Sequence, residues 1–241
     1  RIESGISLRG NRSNRLRMLA FVEGDQLDSL SDISPKSLIE LGKMLARFDR
    51  SLRNFDHPAA HRNHRWNLAE ADQHRSKIDL VGDGQLKRLL GWAFDCWADQ
   101  AKSAFPGLPH QIIHGDAHGE NVLVSGQRIT GLVDFGDCCY NPVICELGVC
   151  LPYMMMGQDD PLDVAAHIVA GYHHESPISN PERSTLFSLI CARLAVTICV
   201  AEERRLIDPH HPNWFGDSGR AGALLCLLHE EPELGRQAFL L

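Results

Sequence analysis

Residues 111–135 most constrain the fold. They break into three short apolar runs, QIIH, NVLV and RITGLVDF, separated by the polar connectors GDAHGE and SGQ. Runs this short, rich in β-branched residues and punctuated by Gly, Asp and Ser, read as strands. The flanking sequence has a different period. Ser34-Pro35 is a helix start, with the cap residue before a proline at the first helical position. Leu38, Leu41, Leu45, Phe48 and Leu52 then recur at helical spacing, which predicts an amphipathic helix over 35–54. Leu86, Leu89, Leu90, Ala93, Phe94 and Trp97 predict a second over 84–104, broken by Pro106 and Pro109. After Pro142, helices are expected over 143–156, 161–174, 181–207 and 217–229. LRMLAFVEGD (16–25) reads as a buried strand ending in a connector, and 56–72 as polar and irregular. The expected architecture is α+β: mostly helical, with a small β insertion carrying the polar motifs. No internal repeat or low-complexity tract is evident.

Composition narrows the partners. The chain has 241 residues, 44% hydrophobic and 23% charged, enough for one large domain or two small ones. A net charge of −7 argues against nucleic acid, which needs a basic face. It is compatible with a cationic small molecule. No apolar run is read as long enough to span a membrane, and no secretory leader is seen. The eight cysteines include no C-x-x-C pair and read as reduced, mostly buried thiols in a cytoplasmic protein.

The chemistry concentrates in IIHGDAHGEN (112–121) and GLVDFGD (131–137). Asp116, Asn121 and Asp134 each stand at the edge of a β-like run. Two carboxylates and a carboxamide oxygen form a hard-oxygen set. That set suits Mg²⁺, which takes few protein ligands and fills its octahedron with water and phosphate oxygens. A carboxylate left off the metal can orient a hydroxyl nucleophile and accept its proton, the division of labour in phosphoryl transfer.

HGDAHGEN followed by VDFGD resembles the catalytic and metal-binding motifs of the aminoglycoside phosphotransferase/choline kinase family, laid out like the protein-kinase loop and D-F-G. LAFVEGD resembles the family's nucleotide hinge, and NPVICELG (141–148) its loop-bracing segment. RWNLAEA with DFGD is similar to the hydroxylysine kinase branch in particular, including related domains fused to aminotransferases.

The resemblance implies a protein kinase-like fold, here mainly its helical C-terminal lobe, with short β-hairpins carrying a catalytic loop (114–121) and a metal loop (134–137). It implies Asp116 as base, Asn121 and Asp134 as Mg²⁺ ligands, and His114 as a loop anchor. Backbone groups of Ala20 and Val22 would meet the base of ATP or GTP, and Glu146 would brace the loop in place of the family's usual Asp. Asp137, three residues past Asp134, is a candidate to face a substrate ammonium. The implied acceptor is a hydroxyl on a small, amine-bearing metabolite of the aminoglycoside, choline or hydroxylysine kind.

Residues 1–24 show no G-x-G-x-x-G and no V-A-I-K-like strand. They are read as a remnant of the N-terminal lobe and hinge, with 25–241 as the helical lobe. The expectation is part of a larger multidomain chain or a homodimer. The alternative is a catalytically impaired kinase-like module that binds a metabolite or partner. A protein kinase is disfavoured by Gly115, His118 and the lack of A-P-E.

The remaining polar residues are read more plainly. His118 is expected to pack the loop. His57, His61 and His64 read as a solvated loop rather than a zinc site. Met154, Met155 and Met156 read as core filler. Trp66 either packs under the substrate pocket or caps a helix. Arg193, a long cation in an apolar helix, either pairs with an acidic residue of the site or snorkels to solvent.

Overall fold

The computed structural model describes residues 20–211 and 215–239, together with the backbone of 5–6 and 14–15. The element order is β1 (Gly5–Ile6), β2 (Asn14–Arg15), β3 (Asp25–Gln26), α1 (Pro35–Leu52), α2 (Gly84–Cys96), β4 (His110–Ile113), β5 (Val122–Ser125), β6 (Arg128–Leu132) and β7 (Cys139–Pro142). Five helices follow: α3 (Cys145–Met155), α4 (Pro161–Glu175), α5 (Asn180–Ile207), α6 (Ser218–Glu230) and α7 (Pro232–Gln237).

Helix α1 starts where its cap dictates: the Ser34 hydroxyl accepts from the Ser37 N–H at 3.2 Å, and Pro35 fills the first helical position. Its buried stripe, Leu38, Leu41 and Leu45, packs on α4. The two helices touch backbone to backbone. A Cβ on Gly171 would lie 2.1 Å from the Ile39 carbonyl oxygen, so only glycine permits this crossing.

Helix α5 runs through the centre, buried from Thr185 to Ala201, with α2, α3 and α6 around it. A window of this helix has a mean hydropathy of 1.9 and meets the length of a membrane span, contrary to the sequence reading. That window is 94% buried inside the protein, which accounts for its apolar character without a lipid partner.

Three small antiparallel sheets complete the description: β1–β2, β3–β5–β6 and β4–β7. The last two frame the polar loops. Strand β7 is a finding of the structure: Cys139 to Pro142 pairs residue for residue with Ile113 to His110. The strand expected over 16–25 is corrected. Residues 16–19 lie outside the described residues, 20–24 are irregular and exposed, and pairing begins only at Asp25, opposite Val124. The segment has no second face to bury: Phe21 is 88% exposed. The 56–72 region is less irregular than expected, with short 3-10 turns at Pro58–Ala60 and along Leu68–Leu80. The helix expected over 84–104 runs the whole length, α-helical to Cys96, widened into a π turn over Trp97–Lys102 and α-helical again at 103–104.

Candidate active site

The catalytic loop leaves β4 at Ile113. Gly115 takes a left-handed φ of +74°, and a Cβ there would meet the Asp137 carbonyl oxygen at 3.2 Å. This explains why the arginine of the protein-kinase pattern has no place at this position. The turn aims two N–H groups at one buried carboxyl. Glu146, at the start of α3, accepts from the His114 N–H at 2.6 Å and the Gly115 N–H at 3.3 Å. Burial pushes the Glu146 carboxyl up to about 7, against the pull of these two donors. Its other oxygen has no hydrogen-bond partner. A second buried carboxyl, Asp49 of α1, accepts from the Tyr172 hydroxyl at 2.6 Å and is also raised, first by burial and then by Glu146.

His114 is fully buried. Its Nε2 lies 3.0 Å from the Val133 carbonyl and its Nδ1 accepts from the Asp116 N–H at 3.3 Å, which fits the neutral ring with the proton on Nε2. Burial lowers its pKa and keeps it neutral. Its edge packs on Phe135 and Phe48, at centroid distances of 5.1 and 5.8 Å. It ties the catalytic loop to the metal loop, and the Val133 N–H, donating to the Asn121 carbonyl at 2.9 Å, adds a second tie.

Asp116 is the best-held side chain of the site. Asn121 Nδ2 donates to its Oδ2 at 2.9 Å and to its carbonyl at 2.8 Å. His118 Nε2 stands 3.5 Å from the same carboxylate oxygen. The guanidinium of Arg193 stands 3.5 Å from Oδ1. Burial alone would raise the Asp116 carboxyl, but His118 and Arg193 together hold it below the usual carboxylate range. In return, His118 is raised by Asp116 despite its burial. His118 thus does more than pack the loop: it contacts the central carboxylate. Arg193 resolves its two readings in favour of an acidic partner.

Asp134 is the one described non-glycine residue with a left-handed φ, at 60°, and its Oδ1 accepts from the Gly136 N–H at 3.1 Å. Such backbones cluster at functional sites. Asp134 is exposed, and Asn121 has committed its amide nitrogen to Asp116, which leaves its carboxamide oxygen outside the loop's hydrogen bonds. One carboxylate and one carboxamide oxygen fit a hard cation that keeps several waters or phosphate oxygens. Of the 57–64 histidines, His57 Nδ1 accepts from the Ala59 N–H at 3.1 Å, His61 Nε2 lies 2.7 Å from Asp56 Oδ1 and His64 Nε2 lies 3.4 Å from Cys139 Sγ.

The Asp137 carboxylate lies 3.6 Å from His64 Nδ1. The 56–67 segment straps this side of the metal loop, with Arg62 donating to the Gly136 carbonyl and His61 stacked 4.5 Å from Tyr140.

A cavity of about 450 Å³ lies on the far side of His118, the residue that contacts Asp116 at 3.5 Å. Trp66, His118 and Tyr153 line it with Asp28, Asp217 and Arg204. Trp66 therefore belongs to the cavity wall, stacked 4.9 Å from the Arg193 guanidinium. Met154 and Met156, buried as core, also reach this wall. Asp28, absent from the sequence reading, donates its N–H to the Gly119 carbonyl at 3.4 Å. Its only signal in the sequence was its place just after the hinge. Ala20 and Val22 are exposed, in a segment tied to β6 by the Thr130 hydroxyl donating to the Glu23 carbonyl at 3.2 Å.

A helical body carrying hairpins that present an Asp/Asn loop and a left-handed Asp defines a kinase-like fold. Residues 3–186 match the phosphotransferase enzyme family, and the chain belongs to that family. It is 26% identical to the hydroxylysine kinase of Mus musculus over 234 residues, covering 92% of this chain and 61% of the relative. The chain thus spans about three-fifths of that relative's length. Among solved structures, a microcompartment-associated aminopropanol kinase superposes with a TM-score of 0.70 at 18% identity, covering 97% of this chain and 73% of that one. A choline/ethanolamine kinase family protein from Mesorhizobium loti gives 0.64 at 16% identity, covering 98% and 76%. These two likenesses establish the fold.

Proposed function

We propose that this chain provides the catalytic and acceptor-binding part of a Mg²⁺-dependent phosphotransferase that moves the γ-phosphate of ATP or GTP to a hydroxyl of a small, amine-bearing metabolite. The observation that carries the reading is the Asp116 carboxylate, held by Asn121, His118 and Arg193, with His118 itself lining a cavity of about 450 Å³.

Asp116 would accept the hydrogen bond of the acceptor hydroxyl and aim its oxygen at the phosphorus. A carboxylate held below its usual range is a weak base. It therefore orients the hydroxyl and takes its proton late, which suits a loose phosphoryl transition state. Asn121 and Asp134 would hold Mg²⁺, which supplies charge neutralisation at the phosphate oxygens. His114 and Glu146 would keep the loop in register from behind. Backbone groups of Ala20 and Val22 would receive the nucleotide base.

The cavity supports an amine-bearing acceptor. Asp28, Glu120 and Asp217 line it as carboxyl groups, Asp217 being paired with Arg220 at 2.5 Å, and burial raises Asp28, a group that an ammonium would bring back to its ionised form. The relatives named hydroxylysine kinase motivate 5-hydroxylysine as the first acceptor to test.

The test is a phosphorylation screen with MgATP and MgGTP over 5-hydroxylysine, choline, ethanolamine and aminoglycosides. Phosphate transfer to at least one hydroxylated amine is expected. Nucleotide or amine binding with no transfer to any acceptor would replace this reading with that of a non-catalytic binding module.

A further inference from the structure

Arg193 carries a role that the reaction scheme above leaves open. It sits midway along α5 among apolar neighbours and is 1% exposed. Burying a guanidinium is unfavourable unless partners offset its lost hydration. Arg193 donates Nη1–H to the Trp66 carbonyl at 3.0 Å and Nη2–H to the Tyr153 hydroxyl at 3.2 Å. Its guanidinium lies 4.9 Å from the Trp66 ring centroid and 5.3 Å from that of Tyr153. None of these partners is an anion. The carboxylate within reach is Asp116, at 3.5 Å.

The two oxygens of Asp116 are held by different parts of the molecule. Oδ2 is held from within the loop by Asn121 and His118. Oδ1 faces Arg193, from a helix far along the chain. Holding one oxygen leaves the carboxylate plane free to swing; holding both fixes it. A contact of 3.5 Å also leaves Oδ1 lone-pair capacity for a hydroxyl donor.

We propose that Arg193 is a positioning residue that fixes the plane of the Asp116 carboxylate for the acceptor hydroxyl and links that plane to the cavity wall at Trp66 and Tyr153. This role rests on the phosphotransferase reading. The same guanidinium that steadies Asp116 holds two walls of the acceptor cavity, so the base and the acceptor share one support.

The test is a double-mutant cycle on the full chain with Asp116→Asn and Arg193→Met, with Arg193→Lys as the conservative variant. Each protein is assayed with MgATP and 5-hydroxylysine for kcat and KM separately, and unfolded in urea. Arg193→Met is expected to lower kcat about 100-fold, with a smaller rise in KM from the released cavity wall, so that the loss in kcat dominates, the signature of lost positioning. Arg193→Lys should recover about tenfold, because the charge returns without the fork. In the Asp116→Asn background, Arg193→Met should cost less than about threefold more. Losses in kcat that multiply, or a rise in KM alone, overturn the proposal. If Arg193→Met does not fold, Arg193→Lys takes its place in the cycle.

If the wild-type chain phosphorylates none of the amines, the functional reading fails and the unfolding arm decides the pairing. A double variant whose unfolding constant departs at least fivefold from the product of the single effects, by roughly 1 kcal/mol, supports it. Independent effects overturn it.

Discussion

The catalytic loop and the metal loop share one site and are joined by two backbone-directed hydrogen bonds, yet they are built in opposite ways. In the catalytic loop, His114, Gly115, Ala117, Gly119 and Asn121 are buried, and Asp116 is held from three sides. In the metal loop, Asp134, Phe135 and Gly136 are exposed, and Asp134 is fixed by a strained backbone and one N–H donor. The contrast teaches where each loop finds its partners. The helical body itself preorganises the carboxylate that would meet the acceptor. The carboxylate that would meet the metal is left to be completed by ion and phosphate.

The contrast can be broken most directly at its centre. Asp116→Asn is expected to reduce turnover on the order of 10³-fold with the fold intact, because the amide cannot accept the hydroxyl proton. Turnover near wild type in a steady-state assay would remove Asp116 from the base role.

The next largest effect concerns the buried side. Glu146 titrates near 7 in the folded protein, above the 4.5 of an ordinary carboxyl. The native state keeps a proton that the unfolded chain releases. The resulting stabilisation is complete below about pH 4.5 and is lost as the pH rises through about 7. Between about pH 5 and pH 8 the Glu146 contribution should fall by roughly 2–3 kcal/mol, while His74, held down to about 4, and the lowered His114 work in the opposite direction, so it is read as the difference in urea midpoints between the wild type and Glu146→Gln. The raised Asp49 acts in the same direction. Glu146→Gln should remove this loss, so that the variant gains on the wild type by that amount between the two pH values; a constant difference between the two proteins would show that Glu146 is already ionised in the native state.

His114→Ala should destabilise the chain by about 2 kcal/mol, through the lost bond to Val133 and the gap left beside Phe48 and Phe135. A change of only a few tenths would mean that the two loops are held together by other contacts.

The smallest expected effect on stability lies on the open side. Asp134→Asn should shift unfolding by less than about 0.5 kcal/mol, since the residue is exposed and Asn tolerates the left-handed backbone. The same variant should weaken Mg²⁺-dependent nucleotide binding at least about tenfold in a titration. Equal losses at Asp134 and His114 would erase the difference between the loops.

Much of this was legible in the residues. The intervals among Asp116, Asn121 and Asp134, each at the end of a β-rich run, marked the polar loops. Apolar periods located α1, α3, α4, α5 and α6 to within a few residues. Other parts left little trace. Residues 68–80 wind as 3-10 turns with no helical period to detect. Strand β7 is four residues ending in proline, stable only because β4 lies beside it. Residues 20–24 have the composition of a buried strand and yet lie exposed. Nothing in the spacing signalled that Asp137 would meet His64.

Whatever depends on neighbours a few residues away could be read from the residues: helix periods and caps, the strand runs, and a left-handed turn where Gly115 allows one. Tertiary structure alone decided which distant groups meet. Glu146 lies 32 residues from the His114 N–H it receives, and Arg193 lies 127 residues from the Trp66 carbonyl it holds. A long buried cation reads the same in a helix whether it turns to solvent or to a carboxylate. Close packing of α5 against the catalytic loop, which seals the guanidinium from water, turned it to Asp116.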